Sequence, residues 1–303
     1  MNTTVNDGGA TGPADGASSR PTGQGRIVLA ATPIGNLADA SPRLIELLRS
    51  ADLVAAEDTR RTLHLANALG LRIPGRLISY HEHNESSRIA ELLEAVAAGS
   101  TLLVVSDAGM PAVSDPGFRL VEAAVEAGLE VTAVPGPSAV LTALALSGLP
   151  TDRFTFEGFL PRKPGERAAL LADLAGEQRT MVFFEAPHRV TPMLTALAEA
   201  FGGSRRAAVA RELTKLHEEV ARGTLDELIA WAEPGVRGEL AVVVGGAVAS
   251  EEADDVDHVA AVQAMMETGV RLKDAVAAVA ERDRIPKRQL YADVVAARSR
   301  PAS

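Results

Sequence analysis

The chain has 303 residues, 47% of them hydrophobic, and a formal net charge of -10. That length and apolar content suffice for two packed domains plus a small appendage, and the acidic balance excludes nonspecific polyanion binding by the whole surface while leaving room for a local basic patch. The absence of cysteine excludes a disulfide framework and thiolate metal sites, and no apolar run reaches the roughly 20 residues of a membrane span.

Residues 1–25, rich in Gly, Ala, Ser and Thr, lack the basic and apolar regions of a signal peptide. They are expected to form a disordered tail ahead of a cytoplasmic protein. A first strand follows at Arg26–Ala31 and ends in the turn TPIGN. Ser41 caps a helix that opens with Pro42. A strand at Asp52–Ala56 ends in EDTRR, and its helix stops at Gly70. A third strand, Arg76–Tyr80, ends in HEHNE, and a helix from about Ser87 stops at Gly99. Thr101–Val105 reads as a buried strand. Two acidic turns follow it at once, Ser106–Gly109 and Ser114–Gly117, before a helix near Phe118. Glu130–Val134 is a fifth strand, ending in PGPS, and Ala139–Leu146 is a short apolar helix.

Strand, polar turn and helix thus alternate five times, which predicts an α/β domain over 26–148 with a mostly parallel sheet. The polar turns all follow strands, so they are expected at one edge of the sheet, where ligands of such folds bind. Gly148-Leu149-Pro150 marks a boundary to a second α/β domain over 149–249. Strands are expected at 154–159, 180–185, 207–213, 218–223 and 239–244, with helices at 167–174 and 224–232. No element is assigned between 189 and 207. The scarcity of crossovers predicts a mixed or partly antiparallel sheet. An acidic linker (EEADDVD) leads into a small C-terminal helical domain within 250–303, read as two helices. Residues 270–300 carry eight Lys or Arg against four Asp or Glu. They resemble a helix-turn-helix, or else a dimerisation or capping hairpin.

The first turn lacks G-x-G-x-x-G, no Walker A pattern occurs, and no G-x-S-x-G elbow appears. This weighs against NAD, FAD and ATP and against a serine hydrolase. His81 and His83 alternate on one strand face without an evident third ligand, so no metal is expected. Asp107 beside the small Ala108 and Gly109 suits hydroxyls or an ammonium group. Glu57, Asp58 and Arg60 at a strand end are either an ion-pair network or a general base with a phosphate clamp. Arg162, Lys163, Arg189 and Lys215 gather near strand ends of the second domain, as a track for a polyanionic substrate would.

Seven segments carry a resemblance: ATPIGNLADASPR, AAEDTRRT, VVSDAGMPAVSDPGFRLV, VPGPSAVLTALALSGLP, DRFTFEGFLPRK, EAPHRV and RELTKLHEE. With them the chain resembles the tetrapyrrole-methylase-like (class III) S-adenosylmethionine-dependent methyltransferases, in their RNA-directed branch. The resemblance implies two α/β domains of the tetrapyrrole methylase type. It implies S-adenosyl-L-methionine as cofactor and 2'-O-methylation of a cytidine of 16S rRNA in the small ribosomal subunit. A homodimer is also implied, with the cofactor held between the domains. Carried over, the cofactor residues are Ile34, Gly35, Asp107, Ala108, Gly109, Ala112 and Val113, joined by Phe184, Leu213 and Ala241. Glu57 and Asp58 are the first candidates for a general base, His188 and Glu185 the second. Arg60, Arg162, Lys163, Arg189 and Lys215 are assigned to RNA phosphates. Ser114–Gly117 is read as a structural turn shaping the cleft wall. A tetrapyrrole methyltransferase and a non-catalytic RNA- or ribosome-binding module are the alternatives.

Overall fold

The computed structural model describes residues 25–247, 258–283 and 286–298. The expected tail up to residue 24 and the acidic linker lie outside them. The chain begins with β1 (Arg26–Ala30), α1 (Pro42–Ser50), β2 (Leu53–Ala56), α2 (Thr59–Ala68) and β3 (Arg76–Ser79). It continues through α3 (Glu85–Ala97), β4 (Thr101–Val105), α4 (Phe118–Glu126), β5 (Glu130–Val134) and α5 (Ala139–Ser147). These strands form one parallel sheet in the order β3-β2-β4-β1-β5.

Side-chain caps start α1 and α2. Ser41 accepts the amide hydrogen of Leu44 ahead of Pro42, and Asp58 accepts that of Arg60. Both sheet faces are covered. Leu44, Leu48 and Ala66 of α1 and α2 close one side over Val28, Val54 and Leu103. Leu92, Val96, Leu120 and Ala124 of α3 and α4 close the other over Ile27, Ala55 and Leu102. Burial on both faces explains why the central strands β1, β2 and β4 read as continuous apolar runs.

The second half contains β6 (Phe154–Phe159), α6 (Pro164–Leu174), β7 (Thr180–Glu185), α7 (Val190–Phe201) and β8 (Arg206–Arg211). After it come β9 (Glu219–Thr224), α8 (Leu225–Ala232) and β10 (Leu240–Val244). The sheet order is β6-β7-β10-β8-β9; only the β6–β7 pair is parallel, so the mixed sheet expected from sparse crossovers is the one observed. Helix α7 fills the stretch given no element. Its Pro192 falls in the first turn, where the missing amide hydrogen removes no helical bond. Strand β8 stops at Arg211, because Glu212 turns to φ 51°.

Helices α6 to α8 cover one face of this sheet, while α5 covers the other. Val140, Ala143 and Leu144 of α5 pack on Val182, Ala210 and Val243, so α5 is as much a part of the second core as of the first domain. Arg222 ties the end of α5 to β9 by donating to the carbonyl of Leu146. Among the described residues the C-terminal region holds three packed helices where two were expected. Helix α9 (His258–Glu267) joins α10 (Leu272–Arg282) and α11 (Lys287–Arg298) around Val262, Val276, Val279 and Val294.

Candidate active site

The turns after β1 and β4 are sewn together. Thr32 and Gly109 exchange both backbone hydrogen bonds, at 2.9 and 3.1 Å. The Thr32 hydroxyl donates to the Ser106 carbonyl, and the Ser106 hydroxyl donates to the Gly109 carbonyl. Gly109 stands at φ 83°, a backbone conformation that disfavours side chains. The result is a rigid lip beyond the carboxyl ends of the two central strands.

Carboxylates crowd this lip. The Asp107 carboxylate accepts the Asp58 amide hydrogen at 3.1 Å, and the Glu57 carboxylate accepts the Asp107 amide hydrogen at 3.1 Å. Arg61 stands 3.4 Å from Asp107. Burial pushes both Glu57 and Asp107 above the ordinary carboxylate range. Asp115 is pushed up to about 6, chiefly by burial and secondarily by the Glu57 charge, against a hydrogen bond from Ser106. Desolvated acids facing one space favour a cationic or hydroxyl-bearing guest.

That space is a cavity of about 530 Å³ between the domains. Ile34, Ala108, Met110 and Val113 line it from the first domain, with Ser138 and Val140 where α5 begins. Phe184, Ala210, Leu213 and Ala241 supply an apolar wall from the second. Two loops clasp it reciprocally. The loop after β4 reaches the second domain, where Ser114 lies against Gly158 at the bulge of β6. The loop after β8 reaches the first, where Lys215, Thr214 and Leu213 press on Gly35. The four non-glycine residues with positive φ among the described residues are Ala112, Ser114, Glu212 and Thr214, all in these two loops. Strain concentrated this way is typical of binding sites.

A second cavity, of about 640 Å³, adjoins the first across Asp107 and Arg61. Gly35, Leu37, Asp58, Arg60 and His64 line it.

Of the residues singled out in the sequence, Ile34, Glu57, Asp107, Ala108, Gly109, Val113, Phe184, Glu185, Leu213 and Ala241 all border the interdomain cavity. Gly35, Asp58 and Arg60 border the adjoining one. Ala112 packs instead on the core of the first domain. Asp58 caps α2 and binds the Arg60 guanidinium at 2.8 Å, which holds it at about 2. Glu185 is buried, accepts the Ala186 amide hydrogen and pairs with Arg189 at 3.3 Å. Arg189 also donates to the Leu160 carbonyl. His188 is exposed in the turn Pro187–Arg189. Lys215 pairs with Glu212 and Glu239, each at 2.9 Å. Lys163 pairs with Glu166, and Arg162 is exposed.

Arg61 belonged to the EDTRR turn already flagged for two carboxylates and two arginines. Sequence reading assigned Asp115 no site role of its own; it stood in the second acidic turn. That turn does shape the wall as expected, and it also points a carboxylate into the cavity. Among the described residues no His, Cys, Asp and Glu cluster suits a metal ion.

Two α/β domains closing a cleft over the carboxyl ends of a parallel sheet define the class. The family model for tetrapyrrole (corrin/porphyrin) methylases matches residues 26–229, and the chain belongs to that family. A solved relative in fold is the uroporphyrin-III C-methyltransferase of Thermus thermophilus complexed with S-adenyl homocysteine. It has a TM-score of 0.51 and 20% identity, over 73% of this chain and 97% of that one. Much closer is the ribosomal RNA small subunit methyltransferase I of Mycobacterium tuberculosis strain H37Rv, 53% identical over 90% of this chain and 96% of its own. The protein of the same name from Escherichia coli O157:H7 is 40% identical over the same shares. At that identity and coverage the chain is a member of the ribosomal RNA small subunit methyltransferase I group.

Proposed function

We propose that the protein catalyses S-adenosylmethionine-dependent 2'-O-methylation of a cytidine of 16S rRNA in the decoding region of the small ribosomal subunit. The observation that carries this reading is the interdomain cavity, with three desolvated carboxylates facing an apolar wall, in a member of that methyltransferase group.

The donor set fits the cofactor. Asp107 and Asp115 offer acceptors for ribose hydroxyls and an ammonium group. Ile34, Val140, Phe184, Leu213 and Ala241 offer contact for the ring system. When bound, S-adenosylmethionine supplies an already activated methyl group. The protein's task is therefore alignment, which is worth ~7–11 kcal/mol in well-oriented systems. Glu57 is the proposed proton acceptor for the 2'-hydroxyl, a role worth ~10²–10⁴-fold. Burial raises its basicity, whereas Asp58 is held by Arg60 and Glu185 by Arg189.

Arg162 and Lys163, exposed at the start of α6, are the proposed RNA phosphate contacts of the second domain, whereas Arg189 and Lys215 are engaged in ion pairs with Glu185 and with Glu212 and Glu239. A homodimer accords with the large apolar side chains left open, Leu216 at 92% and Phe118 at 65% exposure. No described helix is long and apolar enough to cross a membrane, and the proposed site of action is the cytoplasm.

The test is incubation with methyl-labelled S-adenosylmethionine and, separately, unmethylated 30S subunits, naked 16S rRNA and a precorrin. Label in ribosomal RNA supports the reading. Label in the precorrin alone, or RNA retention without transfer, overturns it.

A further inference from the structure

The two cavities that meet at Asp107 differ in chemistry. The interdomain cavity gathers Glu57, Asp107 and Asp115 over apolar walls. The adjoining cavity shares Asp107 and Arg61 with it but lacks Glu57 and Asp115, and adds Arg60, His64 and Thr62. Arg60 and Arg61 project their guanidinium groups outward, at 89% and 67% exposure. Asp58, the other acid of this cavity, already serves Arg60 and the α2 amide groups. Leu37, 44% exposed, adds an apolar surface to the same lining. The volume of about 640 Å³ is that of a small-molecule site.

We propose that this adjoining cavity seats the acceptor: one ribonucleotide of the substrate strand, with a flanking phosphate between Arg60, Arg61 and His64, and its base against Leu37. The planar guanidinium fork suits a phosphate anion. The Asp107–Arg61 pair stands at the rim that both cavities share. A ribose held in the second cavity reaches a methyl donor in the first over this rim, next to Glu57, which lines the first. The inference rests on the methyltransferase reading above and adds to it the place and polarity of the acceptor site.

Two variants that spare the interdomain cavity test it. His64→Ala removes a phosphate partner, and Leu65→Trp fills the second cavity from α2. Three measurements apply to each: calorimetric affinity for S-adenosylhomocysteine, equilibrium binding of unmethylated 30S subunits, and KM for those subunits. The expected result is S-adenosylhomocysteine affinity within twofold of wild type, with subunit binding weakened and KM raised by tenfold or more for Leu65→Trp, and by threefold or more for His64→Ala. Should both variants bind and methylate subunits as wild type does, the acceptor site lies elsewhere. Should S-adenosylhomocysteine affinity fall as far as subunit binding in His64→Ala, the cavity belongs to the cofactor and the proposal is overturned. Failure of the underlying reading looks different, since wild-type protein would then transfer no methyl group to the subunits at all.

Discussion

Asp107 and Glu57 each anchor the backbone beside the other. The carboxylate of Asp107 accepts from the residue after Glu57, and the carboxylate of Glu57 accepts from Asp107 itself, both at 3.1 Å. The ends of β2 and β4 are thereby locked together by acids of the interdomain cavity, of which Asp107 also borders the adjoining one. Asp107→Ala leaves the Asp58 amide without its acceptor and frees Arg61. The expected loss is about 1–3 kcal/mol of stability in urea unfolding, together with cofactor binding. Asp107→Asn keeps an acceptor of the same shape. It is expected to lose less than half as much stability while binding S-adenosylhomocysteine at least tenfold more weakly. Unaltered affinity in Asp107→Asn would remove Asp107 from the cofactor site.

Gly35 is where the loop after β8 closes on the first domain. A Cβ there would stand 2.5 Å from the Lys215 side chain and 2.8 Å from the Thr214 hydroxyl. Gly35→Val is expected to cost about 1–3 kcal/mol by overpacking. Because the same loop carries Leu213, cofactor affinity should fall with it. A variant of wild-type stability and affinity would show that this contact is loose in solution.

Asp115 makes stability depend on pH. Its carboxyl titrates near 6 in the folded protein and at its ordinary value of 3.8 when unfolded. Below about pH 4 both states hold the proton and the site costs nothing. As pH rises towards 6 the unfolded chain ionises first, so the folded state loses stability relative to it. Roughly two units at about 1.4 kcal/mol each, halved for partial exposure to solvent, leave about 1–2 kcal/mol. Asp115→Asn should therefore be more stable than wild type by that amount at pH 7.5 and equal to it below pH 4. Equal melting curves at both pH values would contradict the burial of this acid.

Arg162→Glu combined with Lys163→Glu reverses the exposed charge at the start of α6. Methylation of subunits is expected to be abolished with S-adenosylhomocysteine affinity unchanged, as calorimetry would report. Equal loss of both would mean that the loop serves the fold or the cofactor, not RNA.

The parallel sheet was legible because its three central strands are buried on both faces and read as uninterrupted apolar runs bounded by polar turns. RIVLA and TLLVV are of this kind, and the turns after them carry Ile34 and Asp107. Helix α7 was hidden by Pro192, which signals a break unless its place in the first turn is known. Asp115 was hidden because SDPG reads equally well as a tight turn. Only the fold over it, with Ser114 against Gly158 of the other domain, turns that segment into a cavity wall. The Asp58–Arg60 pair was one of the two alternatives legible in EDTRR. The ion pairs that occupy Glu185 and Lys215 were beyond sequence for the same reason as Asp115: Arg189 is a near neighbour of Glu185, but Glu239 is 24 residues from Lys215.

The proposed reaction modifies one atom of one nucleotide. Unmethylated 30S subunits are methylated with labelled S-adenosylmethionine, the 16S rRNA is recovered, and its nucleosides are resolved by mass spectrometry after complete digestion, with alkaline hydrolysis in parallel. The expected result is 2'-O-methylcytidine and a labelled dinucleotide resistant to alkali at one position of the decoding region. Label on a base, on a nucleoside other than cytidine, or in no RNA at all would contradict it.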